Sequence, residues 1–135
     1  MKLAFSTLGC PNWSVERVVS TASSLGYDGV EVRGFSGRVE IDEMPEFNEG
    51  LARTRSLFHD AGLEICCLAT SVSLSGRDRD ARRAQVDHAR RAIEVAAGLG
   101  APYIRVFGGR IPPGVSRPDA ADDIAQVLTA LGGTA

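Results

Sequence analysis

Histidine is scarce in this sequence: the 135 residues include two, His59 and His88. No HxxxH or HxH spacing and no local carboxylate–histidine cluster occurs, which removes the metal motifs that such spacings build. Cysteine is nearly as rare, with Cys10, Cys66 and Cys67 and no CxxC pair. An odd count without paired spacing excludes a disulfide framework and predicts reduced thiols in a cytoplasmic protein. Cys66 and Cys67 are neighbours in an apolar run, so regular strand alternation would send them to opposite faces. No apolar run nears the ~18 residues of a membrane span. The start "MKLAFSTLGCPNW" holds one basic residue and too short an apolar run for a secretory leader. Lysine occurs once, at Lys2, against fourteen arginines, a bias we read as coding preference, and the formal net charge is −2. Nothing global therefore recruits nucleic acid or an anionic membrane. The strand–helix turns lack GxGxxG, GxSxG and the Walker A pattern, so dinucleotide binding and a nucleophile elbow are unsupported.

What the chain does have is a repeat. Apolar runs at 2–7, 29–33, 63–69 and 102–107 read as short strands, and helical spacing occupies 14–26, 45–61, 81–99 and 119–131. Ser14 is the predicted N-cap of the first helix, with Glu16 in its first turn, and Pro45 fits the first turn of the second. The segments 34–44, 70–80 and 108–118 read as loops, the last from its glycines and prolines. Gly26, Gly62, Gly100 and Gly132 close the helices at intervals of 36, 38 and 32 residues. Strand–helix alternation at a fixed period predicts an α/β fold of parallel (β/α) units. Two architectures fit: an open doubly wound sheet of four strands, or four βα repeats forming half of a TIM barrel.

Three segments carry a resemblance. "STLGCPNWSVERVVSTASSLGYDGVEVR" (6–33), with "GYDGVE" its most recognisable piece, resembles the opening of the sugar phosphate isomerase/epimerase family, the xylose-isomerase-like TIM barrels. "HARRAIEVAAGLGAPYIRVFGG" (88–109) resembles that family's third helix and fourth strand. The resemblance implies that residues 1–135 are the N-terminal half of one barrel domain, with the C-terminal half expected to be absent. It also implies a sugar or sugar-phosphate substrate and a divalent metal (Mn, Mg, Co or Zn) held by Glu, Asp, His and Glu from later strands. No metal ligand or cofactor is expected within this chain. Apurinic endonuclease relatives carry histidines at the ends of strands three and four, where this sequence has "ATS" and "FGG".

In a barrel the site lies at the C-terminal ends of the strands. Glu31, between Val30 and Val32, should face the barrel interior, as a hydroxyl acceptor for substrate or as an ion-pair partner of Arg33 or Arg105. Arg105, between Ile104 and Val106, should share that face and could bind an anionic group bidentately or pair with Glu31. Trp13 offers a flat face to a sugar ring, or anchors its loop over the first helix. Gly108 and Gly109 could let backbone amides approach a phosphate. His59 and His88 fall within helices and read as surface or groove histidines. The arginines between 77 and 91 alternate with carboxylates, as on a solvated face.

Three functions are open at this level. One is the inactive half of a metal-dependent isomerase or epimerase that transfers a proton next to a carbonyl through an enediolate. Another is a half-barrel scaffold that self-associates through its exposed strand edges. The third is a doubly wound domain binding a small ligand at a strand-order switch.

Overall fold

The structure is a computed structural model that describes residues 1–75 and 78–133. Four strands, β1 (Ala4–Ser6), β2 (Gly29–Val32), β3 (Glu64–Ser73) and β4 (Ile104–Phe107), alternate with α1 (Val15–Ser24), α2 (Leu51–Asp60), α3 (Arg79–Leu99) and α4 (Arg117–Gly132). All pairings are parallel and the strand order is β1-β2-β3-β4. A doubly wound sheet needs a reversal of strand order and helices on both faces. Sequential order leaves no switch point, so that alternative is set aside. The chain has the architecture of half a (β/α) barrel, with the helices on one face of a curling sheet.

The helices start where local chemistry tells them to. Ser14 Oγ accepts from the Arg17 amide at 3.3 Å and Ser116 Oγ from the Asp119 amide at 3.2 Å. Their buried stripes meet the sheet. Val18 of α1, Phe58 of α2 and Ala92 and Ala96 of α3 pack against Val30, Val32, Ile65 and Leu68. A second cluster joins Val72 and Leu74 to Ala89 of α3 and Leu131 of α4.

Three expectations are corrected. The helix expected from Pro45 begins at Leu51; Pro45–Phe47 is a 3-10 turn. Asn48 breaks the run by donating its Nδ2 to the carbonyls of Asp42 and Met44, at 2.9 and 3.0 Å. Phe47 then packs inside the loop, its ring 5.5 Å from that of Phe35. Next, the loop expected from residue 70 starts later, because β3 continues to Ser73 and pairs there with Phe107. Finally, Val30 pairs with Ile65 but Glu31 with Cys67, so Cys66 is an extra residue. This bulge interrupts the alternation that would have sent the two cysteines to opposite faces. Arg77 of the charged run lies outside the described residues.

Candidate functional site

Parallel register carries side chains of one face across the sheet in rows. Ser6, Glu31 and Cys67 form one row on the face turned away from the helices. Val30 and Val32, on either side of Glu31, are fully buried beneath the helices, while Glu31 is half-buried. Arg105 pairs with Ala69 on the next strand, and Phe107 with Ser73. The expected interior placement of Glu31 and Arg105 is therefore what the register gives. Among the described residues no arginine comes within ion-pair distance of the Glu31 carboxylate. Arg105 instead donates from Nη1 to the Thr70 carbonyl at 3.2 Å, and its guanidinium lies 4.3 Å from the Phe107 ring centroid. Cys67 lies between the two charges. Burial pushes its thiol above the ordinary value, Glu31 and Cys66 push it further, and Arg105 opposes them. Burial likewise raises the thiols of Cys10 and Cys66, so none of the three is activated as a thiolate.

Sequence reasoning treated Arg33 only as a partner for Glu31. It donates from Nη2 to Ser71 Oγ and from Nη1 to the Val39 carbonyl, both at 3.0 Å. It thus ties the end of β3 to the loop after β2. Its own amide and that of Gly34 donate to Thr7 Oγ1, at 2.9 and 3.1 Å, which joins the ends of β1 and β2.

Trp13 lies in the segment between β1 and α1. It lines a groove of about 300 Å³ at the β1 edge with Phe5, Cys10, Leu25 and Tyr27. Arg17 of α1 covers its ring at 4.3 Å, and its carbonyl accepts from Ser36 at 3.0 Å. These contacts are those of a loop anchor. Gly109 follows β4 with φ +86°, and a Cβ there would overlap the hydroxyls of Ser73 and Ser75. The positive φ is what favours glycine there. Gly108 leaves room for a Cβ at ordinary contact with Ile124.

The fold also assembles a group that no local spacing encodes. Asp42, in the 3-10 turn Ile41–Glu43, has a side chain only 4% exposed. Its Oδ1 lies 2.9 Å from His88 Nε2, and its Oδ2 accepts from Arg91 Nε at 3.0 Å. Glu40 Oε2 lies 3.4 Å from the same imidazole nitrogen. Glu40, Asp42 and His88 offer ligand atoms that all lie within 4.8 Å of one another, so the three could hold a metal ion. His88 is a groove histidine in α3, as its helical position implied, but it has two carboxylates for neighbours. His59 is exposed at the end of α2, beside Asp60.

The fold and these positions can be set against known proteins. The sequence profile of the family described as "Xylose isomerase-like TIM barrel" matches residues 19–135. The chain belongs to that family. Three solved structures share its fold. A probable 3-DHS dehydratase involved in petrobactin synthesis, from Bacillus anthracis, superposes with a TM-score of 0.77 at 18% identity, covering 99% of this chain and 49% of that one. A 3-keto-D-glucoside 4-epimerase from E. coli gives 0.72 at 16% identity, covering 99% and 51%. A D-psicose 3-epimerase solved with D-fructose gives 0.74 at 17% identity, covering 99% and 48%. The chain therefore spans about half the length of these structures. No curated protein matches its sequence. The metal that this family implies needs several ligands on the open face. There, among the described residues, Glu31 is the one strand carboxylate near the strand ends, since Glu64 opens β3 and pairs with Lys2, and no histidine lies in the strand register, so that face does not fit such a group by itself.

Proposed function

We propose that this chain is the substrate-holding half of an isomerase- or epimerase-type barrel acting on a sugar or sugar phosphate. The observation that carries it is the row Ser6–Glu31–Cys67 with Arg105 one strand away, on the open face at the C-terminal half of the sheet. A carboxylate without an ion-pair partner accepts hydrogen bonds from sugar hydroxyls, and a guanidinium braced by the Thr70 carbonyl presents its remaining N–H groups to a phosphate or carbonyl oxygen. Arg33, fixed by Ser71 and Val39, shapes the rim. Moving a proton next to a carbonyl through an enediolate takes acid–base groups on both sides of the reacting carbon. Of the two strand carboxylates Glu64 is paired with Lys2 at the start of β3, which leaves Glu31 alone near the strand ends, so we assign this half binding and orientation and expect no turnover from it alone. The divalent metal (Mn, Mg, Co or Zn) of a complete family barrel would stabilise the enediolate oxygens. Three free cysteines suit a cytoplasmic setting. Among the described residues no helix is long and apolar enough to cross a membrane.

Amide chemical-shift mapping tests the assignment. Titrating a ketohexose and its 6-phosphate into the chain should move amides near Ser6, Glu31, Cys67 and Arg105, and Glu31→Gln should weaken the response at least about tenfold, as loss of a charged hydrogen bond does. Shifts elsewhere, or an unchanged response in the variant, would reject it.

A second proposal rests on the edges. The β4 side carries an apolar groove of about 360 Å³ between α3 and α4, lined by Ile93, Ala97, Tyr103, Val106 and Leu128. The β1 side carries the groove beside Trp13. Leu25, Tyr103 and Leu128 are exposed there. Edges of this kind favour pairing with another chain, here a second copy. Sedimentation equilibrium should show association that Leu128→Glu weakens; a monomer at all concentrations would remove this proposal.

A further inference from the structure

We infer that Glu40, Asp42 and His88 form a binding site for a borderline divalent cation such as Zn²⁺, clamping the loop after β2 onto α3. The site adjoins Thr70, whose carbonyl braces Arg105, but its three ligands are none of the groups assigned to substrate, so it does not rest on the function proposed for the open face.

The geometry is that of a ligand set. Ligands at ~2.1 Å in a tetrahedral shell lie about 3.4 Å from one another. Here His88 Nε2 is 2.9 Å from Asp42 Oδ1 and 3.4 Å from Glu40 Oε2. The second oxygen of Asp42 is held by Arg91 Nε at 3.0 Å, which turns Oδ1 toward the imidazole. Outer hydrogen bonds of this kind orient metal-binding carboxylates. Glu40 adds an independent sign. Its Oε2 is a buried oxygen with no hydrogen-bond partner among the described residues, and it points at His88 Nε2. The Glu40 side chain is 38% exposed as a whole, but this oxygen is shut off from water with only the 3.4 Å approach to His88 Nε2, and a cation between the three atoms would satisfy it.

The chemistry selects the ion. One imidazole and two carboxylates make a mixed N/O site, which suits Zn²⁺ or Co²⁺ better than all-oxygen ions such as Mg²⁺. The adjoining void, of about 10 Å³ between Ile41, Leu68, Thr70 and Ala92, is too small for an organic ligand. With neutral His88, Glu40, Asp42 and Arg91 sum to one negative charge, which a divalent ion reverses. A proton on Nε2 would bridge the same carboxylates, so the ion and the proton compete for one place.

Titration of the chain with Co²⁺ tests this. We expect one saturable equivalent per chain, a visible spectrum of N/O ligation without thiolate charge transfer, and a Kd raised at least about tenfold by both Glu40→Gln and His88→Gln. Glu40→Gln removes no hydrogen bond from the fold, so its circular dichroism should match the parent, and it decides the matter alone if His88→Gln unfolds. Absence of saturable binding would overturn the inference. So would a thiolate spectrum, which would place the ion on the cysteines, or an unchanged Kd in a folded Glu40→Gln chain.

Discussion

Thr7 shows how much one side chain holds at the mouth of this sheet. It is fully buried, and its hydroxyl takes two backbone amides, those of Arg33 and Gly34. Thr7→Val keeps the shape and strands both donors. Each buried amide left without a partner costs about 1–3 kcal/mol, so we expect a loss of roughly 2–6 kcal/mol in urea denaturation with the fold retained. The placement of Glu31 and Arg105 was legible from alternation alone, because flanking valines and isoleucine must go under the helices. Their lack of a mutual ion pair was not legible, since Arg105 prefers the Thr70 carbonyl and the Phe107 ring, and those contacts depend on where β3 and β4 meet. The group at Glu40, Asp42 and His88 was invisible for a similar reason. His88 lies 46 residues from Asp42 and reaches it only because α3 folds back over the loop.

At the scale of elements, the parts set by neighbours in sequence were readable and those set by distant packing were not. Ser14 caps α1, and Gly26, Gly62 and Gly100 take positive φ after their helices, as their chemistry dictates. The segment 34–50 is different. Its helical-looking spacing of Phe47 and Leu51 is shared between a 3-10 turn and a helix, because Phe35, Ile41, Met44 and Phe47 join the main core from the folded loop. Local periodicity does not distinguish a residue buried by its own helix from one buried by a folded loop. Phe47→Ala should therefore act on the loop. We expect a loss of about 3–5 kcal/mol, the usual cost of truncating a buried phenylalanine, together with faster amide exchange across 35–47 than across α2. Equal exchange in both segments would mean that Phe47 belongs to the helix after all. The β3 bulge at Cys66 was unreadable too, because it is fixed by pairing with β2 rather than by the apolar run itself.

At the scale of the molecule, the sequential order β1-β2-β3-β4 explains both what the chain can do and what it lacks. One face of the sheet is packed by helices, and the other carries Glu31 and Arg105, with no element of the described residues packed across it. Both lateral edges end in apolar grooves. Under the proposed function this half binds and orients a sugar and turns none over by itself. The most direct measurement is deuterium wash-in: the chain is incubated in D₂O with a ketohexose, with and without Mn²⁺, and exchange at the carbon beside the carbonyl is followed by NMR. We expect no exchange above the uncatalysed rate under either condition. Saturable, Mn²⁺-dependent exchange that disappears in Glu31→Gln would contradict the claim and would mean that this half carries a complete catalytic site.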